Sequence, residues 1–441
     1  MYESMASKFL FAVNQYVGVF MHSLLKIALL ISICFVFAGC QLKAAADSII
    51  ATDKLSVVSG TVLHPDYDGK HSIVVLLVSQ DSQTGQARAI ITYNVLDGPD
   101  TFEFIAETGE YTIIAYEDLN NDFDYQKNEY IGWYPNPLKV VEGKSYTNLR
   151  ILLQKEELVK THYPSLYRQQ PGALKAEFAY FALGDVVSLD DPRFSDTNGS
   201  MGLWSPYAFF DTVKSGVTFL EPYSPNKIPV LFVHGAGGHP GQWKTIAASL
   251  DRTKYQPWFL YYSSFFRLGM TNELVSKFIT NLHDKYEFDE MYIVAHSMGG
   301  LVSRGTINAL IHKGKADYIK LLVTISTPWG GHEMAGEGVD HSPVVIPSWF
   351  DVDPTSQYLK TLYNTELPDD LRFALFFGHK GEGAIVFSDS SDGTITLRSQ
   401  LASQAQEAAD TQWGFDEDHR SILNSDAVIK QLKRIFKEKE R

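Results

Sequence analysis

The sequence predicts an α/β protein in which a mostly parallel sheet is preceded by a small all-β sandwich. Three observations predict it. From about residue 215 onward, short apolar runs alternate with segments of helical period, as strands and crossover helices do in a sheet covered on both faces. One of those runs, Met291-Tyr-Ile-Val-Ala-His296, stops abruptly at Ser297 among small residues. From Leu55 to about Leu153 the runs are short and alternating, turns fall between them, and no helical period appears.

The 441 residues suggest two or three domains and large cores. We divide them into an expected signal peptide (1–39), a tether (40–54), a β-sandwich accessory domain (55–153), a connecting region (154–214) and a parallel-sheet domain (215–441). The net charge of −14 argues against nucleic acid and against electrostatic adhesion to anionic lipid. The signal carries Lys8 and Lys26 against Glu3, so its removal leaves the chain more acidic still.

Leu24 to Cys40 has a basic residue, an apolar core and small residues before a cysteine, which reads as a cleaved export signal, with an uncleaved signal anchor as the alternative. The signal is complete from Met21, so either Met1 or Met21 serves as the start. Phe37-Ala-Gly-Cys40 resembles a bacterial lipobox. That resemblance implies that Cys40 becomes a lipidated first residue holding the protein to a membrane. Gln41 is not the aspartate that retains enterobacterial lipoproteins in the inner membrane, so the outer membrane of a bacterial envelope is the expected location. The two cysteines are Cys34, inside the signal, and Cys40, which leaves no disulfide to staple the mature chain.

In the β region, Val57–Leu63, Ser72–Val78, Ala89–Tyr93 and Tyr111–Tyr116 read as strands. Ser-Gly-Thr-Val and Gly-Glu-Tyr-Thr-Ile resemble the transthyretin-like or carboxypeptidase-regulatory type of accessory domain. Asp118, Asn120, Asp122, Asp124, Gln126 and Glu129 place oxygens at the ligand positions of a calcium loop. Phe123 stands where the sharp turn calls for glycine, so an acidic surface turn is the alternative. The connecting region predicts helices near Glu156–Tyr167 and Leu174–Leu183, then a loop of breakers over Asp190–Ser200.

The chemistry lies in the last half. A serine exposed on a tight strand-to-helix turn needs small residues two before and two after it, here Ala295 and Gly299. The helix from Gly300 to Ile311 follows, its N-terminus aiming unpaired amides at any developing anion. Upstream, Ile228–Val233 is a buried strand ending in His234-Gly-Ala-Gly237. Its glycines let backbone amides approach a carbonyl, and the amides of Ala236 and Met298 make the expected oxyanion pair. His234 is then a structural residue of the turn. Gln256–Ser263, Ile319–Ser326 and Leu371–Phe377 read as further strands, and Asn272–Tyr286 as a helix.

Taken together, His234-Gly-Ala-Gly237, Ala295-His-Ser-Met-Gly-Gly300, Ser326-Thr-Pro-Trp-Gly-Gly331, Ser391-Asp-Gly393 and Asp418-His419 resemble the α/β-hydrolase superfamily, within it the lipase-like and esterase-like members. The resemblance covers about residues 215 to 435. It implies a triad in the order serine, acid, histidine. Ser297 is then the nucleophile, Asp392 the acid with Asp389 as the fallback, and His419 the base, in a loop before a C-terminal amphipathic helix.

The implied activity is cleavage of carboxylic esters, and no metal or cofactor is required. Trp329 and the run Val344–Phe350 suggest a hydrophobic acyl or alcohol group, with packing beneath a long loop as the alternative. An acyltransferase or amidase would use the same residues. A partner-binding envelope lipoprotein with a degenerate hydrolase scaffold is the reading from another class.

Overall fold

The computed structural model describes residues 41–51, 54–80, 87–96, 98–119, 125–126, 128–155, 181–213, 215–381 and 390–439. The expected signal, Cys40 and the helix expected over 156–167 lie outside these residues.

Among the described residues, nine strands precede residue 156: β1 (Ser56–Leu63), β2 (Ser72–Gln80), β3 (Ala87–Leu96), β4 (Thr101–Ala106), β5 (Gly109–Asp118), β6 (Tyr130–Trp133), β7 (Leu138–Val140), β8 (Tyr146–Leu152) and β9 (Gln154–Lys155). They form one sheet in the order β4-β1-β8 and another in the order β3-β2-β5-β6-β9, with β7 on β5. Alternation explains the pairing of sheets. Val58 and Val62 of β1 and Phe102 and Phe104 of β4 face Val75, Leu77, Ile113 and Ala115 of β2 and β5 in one buried core. The intervening residues Val74, Leu76, Ile114 and Tyr116 are buried on the opposite face, so β2 and β5 carry nearly continuous apolar runs. Tyr93 of β3 hydrogen-bonds Asn281 of the second half, which fixes one point of contact between the two parts.

Among the described residues, the second half is built on eight strands: β10 (Phe181–Val186), β11 (Ser215–Phe219), β12 (Ile228–Val233), β13 (Tyr255–Tyr261), β14 (Met291–His296), β15 (Ile319–Ile325), β16 (Arg372–Gly378) and β17 (Thr411–Phe415). Their order is β10-β11-β13-β12-β14-β15-β16-β17. Every pair is parallel except β11 with β13. The helices of this half include α1 (Asp196–Trp204), α2 (Leu268–Tyr286), α3 (Met298–His312) and α4 (Asp426–Lys439).

Period-two geometry sorts the central strands. Leu231, Ile293, Leu322 and Phe373 pack on Val275 and Phe278 of α2 and Leu301 of α3. Their neighbours Val230, Tyr292, Val323 and Ala374 share a core with Val428, Leu432 and Phe436 of α4. Both faces are therefore apolar, which is why these strands read as unbroken hydrophobic runs.

The connecting region departs from expectation. The helix expected over Leu174–Leu183 gives way, at Phe181–Leu183, to strand β10, which pairs with β11 through an irregular register at Gly184; residues 174–180 are outside the described set. Within the expected loop of breakers, α1 starts at Asp196. Ser195 caps it by accepting the amide of Asn198, and Asp196 sits in its first turn.

Candidate active site

All the strands from β12 to β16 end at one edge of the sheet, and the loops leaving that edge carry the candidate residues. Ser297 stands between β14 and α3 with φ 54° and ψ −132°, a conformation that costs on the order of 1–3 kcal/mol for a residue other than glycine. Its neighbours hold it there. The Ser297 amide donates to Ile325 O at 2.8 Å, and its carbonyl accepts from Gly300 N at 2.9 Å.

The need for small residues is steric. A Cβ on Gly299 would lie 2.5 Å from His234 O, and one on Gly235 would lie 2.7 Å from Ser297 Cβ. Ala295 is fully buried between Val233 and Thr324 of the adjoining strands.

Three side chains meet at this edge. The Ser297 hydroxyl donates to His419 Nε2 at 3.0 Å, and His419 Nδ1–H donates to Asp392 Oδ2 at 2.7 Å. His419 and Asp392 are joined through the backbone as well, His419 N donating to Asp392 O at 2.8 Å. The other carboxylate oxygen, Asp392 Oδ1, accepts from Thr394 N at 3.0 Å and Ile395 N at 2.7 Å. Asp392 is fully buried. Burial disfavours its charge, but the His419 hydrogen bond and charge and the two amides outweigh that cost, and its pKa lies below the ordinary 3.8. Asp418 turns away: its carboxylate accepts the amides of Arg420 and Ser421. Asp389 lies outside the described residues.

Around the serine, Met298 opens α3 and Ala236 sits in the turn after β12. Among the described residues, neither amide has a backbone acceptor, whereas Gly237 N donates to Ser264 Oγ at 2.9 Å. His234 is built into the turn. It stacks on Tyr262 at 4.5 Å, accepts the Tyr262 amide at Nε2, and places Nδ1 2.8 Å from Gly235 O.

Both His234 and His296 are kept neutral, burial pushing each imidazole down to about 3. An unfolded histidine protonates near pH 6.5. Between those two values the unfolded chain binds more protons, so stability falls as pH drops, by about 1.4 kcal/mol per pH unit for each histidine. Denaturant melts from pH 7 to pH 4 should show this slope, and His296→Gln should remove one histidine's share.

The aromatic and apolar residues after β15 divide. Trp329 belongs to the main core, against Phe373 at 5.7 Å, so it packs instead of lining a substrate surface. Ile346 joins Phe265 and Ala45 in a separate cluster, flanked by Leu203, Trp204, Phe266 and Trp349. Leu203 lies 3.8 Å from where a Cβ on Gly237 would stand, placing this apolar cluster beside the His234–Gly237 turn. Ala45 comes from a helix over residues 41–51, a covering segment for which the sequence carried no signal beyond its alanines.

Of the expected calcium ligands, Asn120, Asp122 and Asp124 lie outside the described residues. Asp118 ends β5 fully buried. Glu129 accepts Leu119 N at 3.0 Å and Gln126 N at 2.8 Å, one with each oxygen.

Comparison with known proteins places a match on this half of the chain. Residues 224–340 match the family model described as a PGAP1-like alpha/beta domain. The mouse and rat (Mus musculus and Rattus norvegicus) proteins named GPI inositol-deacylase are each 33% identical over 120 residues, covering 23% of this chain. Among solved structures, the Bacillus licheniformis lipase BlEst2 in mature form is similar at 17% identity and a TM-score of 0.39, over 49% of this chain and 94% of that one. The match spans only 13% of the length of each of the two curated relatives.

Proposed function

We propose that this chain is a serine hydrolase that cleaves carboxylic esters of lipid-like acyl groups. The observation that carries the reading is the unbroken hydrogen-bonded line from Ser297 Oγ through His419 to Asp392 at the strand-end edge of a parallel sheet.

In this reading His419 Nε2 removes the hydroxyl proton as Ser297 Oγ bonds to the acyl carbon. The carbonyl oxygen becomes an oxyanion, received by the amides of Ala236 and Met298, each such donor being worth roughly 3–4 kcal/mol. His419 then returns the proton to the departing alcohol. Water repeats the sequence on the acyl-enzyme and frees Ser297. Asp392 holds the Nδ1–H tautomer and offsets the imidazolium charge.

The half-buried Leu203, Trp204, Phe266 and Trp349, which flank the cluster of Phe265 and Ile346 beside the His234–Gly237 turn, support the acyl preference. The names of the rodent relatives, which describe removal of an acyl group, agree with ester chemistry. A panel of p-nitrophenyl esters of graded acyl length tests the substrate class. The expected result is a kcat/KM that rises with chain length from acetate to medium chains. Hydrolysis confined to acetate would remove the lipid-like preference, and an inert protein would remove the ester reading.

We place the protein on a membrane through lipidation at Cys40. Among the described residues no helix is long and apolar enough to cross a bilayer. Several acyl chains anchor stably where one binds only marginally. Labelled palmitate should enter the wild-type protein and not Cys40→Ala; label retained by the variant would contradict the anchor. Calcium in the loop of Asp118 to Glu129 stays a secondary proposal. A melting temperature unchanged by chelator would contradict it and leave Glu129 as the acceptor of the Leu119 and Gln126 amides.

A further inference from the structure

We propose that His296, the residue before the candidate nucleophile, is a positioning residue that fixes the base by hydrogen-bonding its backbone. This rests on the reading of Ser297, His419 and Asp392 given above. His296 Nε2 lies 2.8 Å from the carbonyl oxygen of His419, and the two imidazoles face each other at 4.7 Å between centroids, tilted by 46°. A carbonyl only accepts, so Nε2 must carry the proton and donate.

The contact matters because of where each partner sits. His419 lies on a loop, between the end of β17 and the turn at Ser421–Asn424. A loop histidine has no regular backbone ladder to hold it, yet its ring must keep 3.0 Å to Ser297 Oγ. His296 is the last residue of β14, a central strand paired on both sides by β12 and β15. It is buried, and so is the bond. Asp392 holds the His419 amide from one side, and His296 holds its carbonyl from the other. The peptide on either side of the base is thus tied to the acid and to the nucleophile's own strand.

The groups facing His296 are His419, Asp392 and His234. His296 stays neutral while His419 takes up a proton, because burial holds its own pKa down to about 3. The donor is therefore present throughout the working pH range, and no second positive charge opposes the imidazolium.

The test separates the donor from the ring. Glutamine carries an amide nitrogen at the reach of Nε2, whereas phenylalanine keeps the ring and loses the donor, and asparagine keeps an amide that falls short. His296→Phe is expected to lower kcat by roughly 10²-fold, the cost of misplacing a reacting group by about 1 Å, with KM nearly unchanged. Its rate of labelling by a fluorophosphonate should fall in the same ratio. His296→Gln should stay within about threefold of wild type, since the hydrogen bond is kept. If His296→Phe does not fold, the glutamine and asparagine variants carry the comparison, with asparagine expected to show the roughly 10²-fold loss.

Wild-type turnover in His296→Phe, or equal losses in glutamine and asparagine variants, would overturn the proposal. Ser297→Ala run in parallel keeps the two readings apart. Activity lost in Ser297→Ala but kept in His296→Phe overturns the positioning role alone, whereas activity kept in Ser297→Ala overturns the site and the positioning role with it.

Discussion

Replacing Ser297 with alanine is expected to lower turnover of the preferred ester by roughly 10⁶-fold, the scale on which removal of a nucleophile in such a unit acts. The reason is local. Among the described residues, Ser297 Oγ is the hydroxyl that donates to His419 Nε2, and it stands at a strained, buried turn. Without it no acyl-enzyme forms, and only the contribution of the oxyanion amides and of substrate binding survives, about 10³ to 10⁴ over water. The comparison is made by single-turnover kinetics on folded protein, with circular dichroism as the control. A loss of less than tenfold would place the nucleophile elsewhere.

The second large effect is expected at Asp392. Asp392→Asn should cost roughly 10⁴ in turnover, for a reason visible in the bonds of the carboxylate. Oδ1 accepts two backbone amides, from Thr394 and Ile395, so the asparagine oxygen will take that place. Its NH2 then faces His419 Nδ1, which must accept instead of donate. The proton moves to Nε2, and the imidazole no longer offers a lone pair to Ser297. Asp389→Asn, by contrast, should stay near wild type; the reverse ranking would transfer the acid's role to Asp389.

The same carboxylate sets an acid limit. Its folded pKa lies below the ordinary 3.8. Its contribution to stability is therefore complete above the unfolded value and is lost as pH falls through the folded one.

Much of this arrangement was legible in the sequence because steric demands at a strand-to-helix turn leave small residues in fixed places. The runs at Ile228, Met291 and Ile319 are apolar on both faces because helices cover both sides of the sheet, and such strands announce themselves. Ser297, His419 and Asp392, named from the motifs and from the order that the family resemblance implies, lie in one hydrogen-bonded line.

What stayed hidden has physical causes too. β17 is an edge strand whose Gln412 and Trp413 face solvent, so it lacks the apolar run that marks its neighbours. β10 is broken at Gly184, where φ is 85°, and its pairing shifts register there. α1 contains Asn198, Gly199 and Gly202 and owes its start to the Ser195 cap, a short-range signal masked by its poor helix formers. The bond from His296 to the His419 carbonyl joins residues 123 apart in sequence, and no spacing rule reaches that far.

The central claim is that Ser297 becomes acylated during turnover. The protein is mixed with a p-nitrophenyl ester, quenched in acid within the first turnover, digested, and its peptides weighed. The account predicts a burst of about one nitrophenol per chain and an acyl mass increment on the peptide that holds Ser297. Steady turnover with no burst and an unmodified Ser297 peptide, or an acyl group on another residue, would contradict it.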